Sequence, residues 1–105
     1  MSTALEVNNQ TNGKTVVLEA GQTLVIRLPE NPTTGYRWAV ESGGTMRLDV
    51  DEFFPIGTDV GAGGTRQLQW RAESSGKHHI SLVLRRSWEA TNMAIEHFSL
   101  TVVSV

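Results

Sequence analysis

Apolar side chains recur at every second position through most of the chain, the period of strands with one face on a core and one in water. Val16 and Leu18 share a face, as do Leu24, Ile26 and Leu28, and the two runs joined by Glu19-Ala20-Gly21-Gln22 read as a hairpin. Tyr36, Trp38 and Val40 alternate with Arg37, Ala39 and Glu41; after Ser42-Gly43-Gly44, Met46, Leu48 and Val50 alternate with Arg47, Asp49 and Asp51. Leu68, Trp70 and Ala72 oppose Gln67, Gln69 and Arg71. A turn at Glu73–Lys77 then leads into Ile80, Leu82 and Leu84, and a last run from Ile95 to Val105 carries Phe98, Leu100 and Val102 on one side.

Seven or eight short strands with turns roughly every 8 to 12 residues, and no stretch long enough for a helical crossover, predict an all-β, immunoglobulin-like antiparallel β-sandwich. A barrel satisfies the same alternation. The 105 residues, without repeat or linker, are the size of a single domain, 1–105, with room for one core that needs no staple.

A formal net charge of -2 argues against nucleic acid or an anionic membrane as partner. The absence of Cys excludes disulfides, a thiolate nucleophile and Cys-based metal sites. The N-terminal Met1-Ser2-Thr3-Ala4-Leu5-Glu6 has neither the basic start nor the apolar core of a signal peptide. The expectation is a cytoplasmic protein, or a secreted or periplasmic mature form whose signal has been removed.

Catalytic constellations are hard to assemble from these residues. His78 and His79 are adjacent and point to opposite faces of a strand, so they cannot share an ion, and either one with His97 lacks a supporting carboxylate. Ordinary surface or boundary histidines are the simpler reading. Asp49 and Asp51 share a face at i and i+2, but opposite Leu48 and Val50 they look like a solvated strand face rather than an acid–base pair. No Gly-x-Ser-x-Gly elbow occurs, and Gly61-Ala62-Gly63-Gly64 lacks the Lys-Ser/Thr ending of a phosphate loop and leads into a strand-like segment. The expectation is a protein that is not an enzyme, with no catalytic residue, no metal and no cofactor.

The stretches suited to contact lie between strands. In Asn31-Pro32-Thr33-Thr34-Gly35-Tyr36-Arg37-Trp38, proline fixes its own φ and pushes Asn31 extended, and glycine permits sharp re-entry into the next strand. The tip, Thr33-Thr34, is small and uncharged and can bring its backbone close to a partner at little ordering cost. The same stretch also reads as a tight turn leading to core residues Tyr36 and Trp38. Gly61–Gly64 reads as a sandwich connection, and Arg86-Ser87-Trp88 puts a tryptophan in a loop, either as a partner contact or as a cap on the core.

Taken together, Asn31 to Trp38, Gly61 to Gly64 and Arg86 to Trp88 resemble, in kind and in order, the motifs of the chagasin family of cysteine peptidase inhibitors, and the resemblance extends over nearly the whole chain. It implies a monomeric immunoglobulin-like sandwich that reversibly and tightly inhibits papain-like cysteine peptidases, host or endogenous, by laying three loops across the active-site cleft. Carried over, Asn31, Pro32, Thr33, Thr34, Gly35 and Tyr36 would form the central loop, with Thr33 and Thr34 beside the enzyme's catalytic cysteine and histidine. Gly61, Ala62, Gly63 and Gly64 would take the non-primed side through backbone groups, and Arg86, Ser87 and Trp88 the primed side. The family usually carries proline where this chain has Ser87, so the third loop is expected to be less preorganised, and Ser87→Pro to slow dissociation. An interaction module binding a non-peptidase partner through the same loops is the alternative.

Overall fold

The structure, a computed structural model, describes residues 4–57, 63–90 and 93–105. These form eight strands, β1 (Leu5–Asn8), β2 (Thr15–Leu18), β3 (Thr23–Glu30), β4 (Tyr36–Ser42), β5 (Met46–Pro55), β6 (Gly64–Ala72), β7 (Gly76–Arg86) and β8 (Glu96–Ser104), with short 3-10 turns at Asn9–Thr11 and Pro32–Thr34. The sheets have the orders β1-β3-β6-β5 and β2-β8-β7-β4. Leu24, Ile26, Leu28, Leu68 and Trp70 from the first meet Leu18, Trp38, Ile80, Leu82, Phe98, Leu100 and Val102 from the second, all buried. Burying each such side chain is worth about 1.5–3 kcal/mol.

The sandwich architecture is the one expected from the alternation, with three differences. First, β2 and β3 are not a hairpin: β2 pairs with β8, and β3 with β1 and β6. Alternation tells which face of a strand is buried but not which strand lies beside it. The link Glu19–Gln22, closed by Gln22 N–H donating to Glu19 O at 3.0 Å, carries the chain from one sheet to the other.

Second, the pairings β1–β3 and β2–β8, at one edge of each sheet, are parallel, while the other ladders are antiparallel. Third, the apolar face expected along Met46, Leu48 and Val50 breaks down. Met46 is buried, but Leu48, still opposite Trp70, is 37% exposed on this edge strand, and the β5–β6 register then shifts so that Val50 comes opposite Gln69. An extra residue in an edge strand turns the alternation over. Val40 is likewise 40% exposed, next to a register shift in β4.

The histidines do point to opposite faces, but His78 is a buried residue rather than a surface one. Its ring is hydrogen-bonded to the Thr45 hydroxyl and the Ser74 carbonyl, whereas His79 and His97 are exposed. Asp49 and Asp51 are both taken up by arginines: Asp49 by Arg47 at 3.3 Å and Arg71 at 3.2 Å, Asp51 by Arg66.

Candidate functional site

The segment between β3 and β4 is locked by its own short-range chemistry. Asn31 is extended (φ -124°, ψ 95°) and caps the 3-10 turn, its Oδ1 accepting from Thr33 N–H at 3.2 Å and from the Thr33 hydroxyl at 2.6 Å. Pro32 opens the turn and Gly35 closes it in the left-handed region at φ 83°. Thr34 N–H donates to Asn31 O at 3.1 Å and Gly35 N–H to Pro32 O at 2.9 Å. The Thr34 hydroxyl donates to Asn31 O at 2.7 Å and accepts from Tyr36 N–H at 3.2 Å. Nearly every polar group of the tip is satisfied within the tip, so little freedom is left to lose on binding. Thr33 and Thr34 themselves remain exposed.

Beneath this turn lies a feature that no sequence motif marks. Glu30, whose side chain is 0% exposed, accepts from Trp38 N–H at 2.7 Å, from Arg66 Nη1 at 3.2 and 3.3 Å, and from Arg37 at 3.3 Å. It therefore ties the last residue of β3 to β4 across the sandwich and to the start of β6 within its own sheet. The signal was present in the alternation: Leu24, Ile26 and Leu28 point inward, and the next residue on that face is a glutamate. The Asp51 hydrogen bond, with the charges of Glu30 and Asp51 behind it, raises the Arg66 guanidinium above its ordinary value against the opposing effect of burial.

Of the glycine motif, Gly61 and Ala62 lie outside the described residues. Gly63, at φ 75°, accepts from Ile56 N–H at 3.0 Å, and Gly64 is a strand residue facing Glu30 on one side and Pro55 on the other. A methyl on Gly64 would fall 2.2 Å from Phe54 O, so only glycine lets β5 and β6 close there.

The third stretch leaves β7 at Arg86 and turns at once, with Glu89 N–H donating to Arg86 O at 3.0 Å. Ser87 and Trp88 are the two central residues of that turn, and Trp88 is 72% exposed, so it does not fold back onto the core. Arg86 stacks over Tyr36, its guanidinium carbon 4.4 Å from the ring centroid, lies 5.9 Å from the Trp88 ring, and donates to Thr34 O at 3.4 Å. Tyr36 packs half-buried against the core, as expected, and Trp38 fully, its Nε1–H donating to Pro29 O at 2.9 Å.

The described parts of the three stretches come together at one end of the sandwich. A methyl placed on Gly35 would sit 2.8 Å from Trp88 Cη2, and one placed on Gly63 would sit 3.4 Å from Asn31 Cβ. Between them runs a groove of about 730 Å³ bordered by Asn31, Thr34, Gly63 and Arg86 and flanked by the exposed Ile56 and Ile95, which the motif reading did not single out. Among the described residues no cluster of three or more His, Asp or Glu is arranged to hold a metal ion. What the end offers is shape: a stiff uncharged prominence, a glycine-lined shoulder and an exposed tryptophan.

Known proteins give the same picture. The chain is 30% identical to chagasin of Trypanosoma cruzi over 102 aligned positions, covering 90% of this chain and 93% of that protein. It is 31% identical to amoebiasin-1 of Entamoeba histolytica, covering 93% and 97%. In fold it matches a crystal structure of a cysteine protease inhibitor, EhICP2, from Entamoeba histolytica with a TM-score of 0.86 at 21% identity, over 99% of this chain and 97% of that one. The profile of the chagasin family peptidase inhibitors, I42, matches residues 17–102, and with two relatives at this level along almost their whole length the chain belongs to that family.

Proposed function

We propose that this protein is a reversible, tight-binding inhibitor of papain-like cysteine peptidases, acting as one domain that seats the end of its sandwich in the active-site cleft. Thr33 and Thr34 enter deepest, next to the catalytic cysteine and histidine. The stretch ending in Gly63 and Gly64 takes the non-primed side, and Arg86, Ser87 and Trp88 take the primed side. The convergence of these loops on a turn that is rigid before contact carries the reading.

The same geometry accounts for an inhibitor that is not consumed as a substrate. A peptidase needs an extended backbone with the scissile carbonyl aligned to its nucleophile. Pro32 to Thr34 instead form a 3-10 turn closed by hydrogen bonds to Asn31 O and Pro32 O, so the peptide bonds between Pro32 and Gly35 do not lie extended. Protease–inhibitor contacts bury roughly 800 Å² per partner, which loops at one end of a small sandwich can supply.

The test is a titration of active-site-quantified papain with the purified protein, following a small fluorogenic peptide, with a serine peptidase as control. Stoichiometric, reversible inhibition of papain alone is the expected result. No inhibition at micromolar excess of folded protein would overturn the reading.

A further inference from the structure

Arg85 is the last residue of β7 before the tryptophan stretch begins, and its surroundings are unusual for an arginine. Its cross-strand partner in β4 is Arg37. Like charges directly opposite in a ladder are destabilising. Arg37 is drawn toward Glu30, whereas Arg85 turns the other way, toward the loop. A single nitrogen, Nη1, lies 3.3 Å from Arg86 O, 3.4 Å from Ser87 O and 3.1 Å from Glu89 O. One of these carbonyls, Arg86 O, also accepts the turn's own hydrogen bond from Glu89 N–H. Three carbonyl oxygens converging on one point repel each other unless a cation sits between them, and the guanidinium is that cation.

We propose that Arg85 is the positioning residue of the peptidase-binding third loop: its guanidinium staples the carbonyls of Arg86, Ser87 and Glu89 and so holds Trp88 ready, supplying the preorganisation that a proline at position 87 would give. The proposal rests on the inhibitor reading of this loop. Ser87 occupies the second position of the Arg86–Glu89 turn, where proline's fixed φ is favoured, and it follows Arg86, a strand residue already in the extended region that proline demands. The staple and a proline therefore act on the same freedom, and their effects are not additive.

The experiment combines Arg85→Met, Arg85→Lys, Ser87→Pro and Arg85→Met/Ser87→Pro. Dissociation from papain is followed by dilution, and the order of the Trp88 indole N–H in the free inhibitor by ¹⁵N relaxation. Arg85→Met is expected to speed dissociation about tenfold, the loss of charge-assisted bonds to an exposed loop. It lowers the Trp88 order while leaving the melting temperature unchanged or higher, since the repulsion against Arg37 goes with it. Arg85→Lys, which keeps the charge without the fork, falls between wild type and Arg85→Met. Ser87→Pro is expected to slow dissociation only about twofold with Arg85 present but about fivefold or more in Arg85→Met, restoring the Trp88 order.

Equal gains from Ser87→Pro in both backgrounds would overturn the proposal, as would unchanged Trp88 order in Arg85→Met. A general structural role would instead lower the melting temperature and would not be rescued by proline. If wild type failed to inhibit papain, the inhibitor reading would fall, while the relaxation measurement would still decide whether Arg85 orders the loop.

Discussion

Replacing Glu30 by glutamine changes almost no volume and removes one charge from the point where β3, β4 and β6 are tied together. The Glu30 carboxylate is fully buried and faces only donors: Trp38 N–H at Oε2, and Arg37 and Arg66 at Oε1, with Arg66 reaching Oε2 as well. A carboxamide keeps one acceptor oxygen. If that oxygen stays on Trp38 N–H, the new NH₂ points at two guanidinium groups.

The Arg37 pair contributes little to the loss, because that side chain is 49% exposed and such pairs are worth about 0–1 kcal/mol. Arg66 is only 16% exposed, and removing one partner of a buried pair costs about 3–5 kcal/mol. Because Arg66 keeps Asp51, the lower end applies, about 3 kcal/mol. For a domain of this size that lowers the melting temperature by about 12–24 °C. Urea denaturation followed by the fluorescence of the buried Trp38 and Trp70 measures it, with an unchanged denaturant slope as the sign that stability alone has moved. A loss below about 1 kcal/mol would refute the argument, as would a Glu30→Met/Arg66→Met double variant losing as much as the sum of its singles.

Thr33→Arg keeps the backbone bond to Asn31 but puts a long charged side chain on the tip; inhibition of papain should weaken by more than about 100-fold with the circular dichroism spectrum intact, and retained inhibition would remove Thr33 from the contact. Gly35→Ala forces a side chain into the left-handed region and against the Trp88 ring, which is exposed and can swing aside; the expected loss is about 1–2 kcal/mol of stability together with faster dissociation. Gly64→Ala meets backbone, Phe54 O at 2.2 Å and Pro55 Cα at 2.8 Å, and no rotation relieves that; its loss should exceed that of Gly35→Ala, at about 3 kcal/mol in thermal denaturation, and the reverse order would contradict the register of β5 on β6.

Features that depend on neighbours in sequence were legible in it. Asn31, Pro32 and Gly35 dictate the central turn through a cap, a fixed φ and a left-handed closing residue, all within five positions, and the observed angles are those the residue types require. The faces of β3, β6, β7 and β8 followed from their alternation for the same reason. Features that depend on the partner strand were not. Nothing in Val16 to Leu28 distinguishes two strands of one sheet from two strands on opposite sheets, and nothing in Met46 to Val50 announces the bulge that takes Val50 off the face shared by Met46 and Leu48. Glu30 stands between these cases. Its position on the inward face was readable, but the identity of its partners, Arg37 and Arg66, required the register that brings Gly64 opposite Glu30.

That distinction bears on how the proposed binding end is built. An inhibitor without catalytic groups gains affinity from having little left to order on contact, so the stiffness of each loop matters as much as what it touches. The central turn obtains its stiffness locally, from the Asn31 cap and the Thr34 hydroxyl. The shoulder at Gly63 and Gly64 obtains it from the strand register beneath, where Glu30 and Arg66 join the sheets. The tryptophan turn has neither a proline nor a cap of its own and leans on the two arginines that end the preceding strand, Arg85 on its carbonyls and Arg86 paired with Glu89 at 3.5 Å. Substitutions at the tips, Thr33 and Trp88, should therefore change which peptidase fits, whereas those at the bases, Glu30, Gly64 and Arg85, should change how long any fitting peptidase is held.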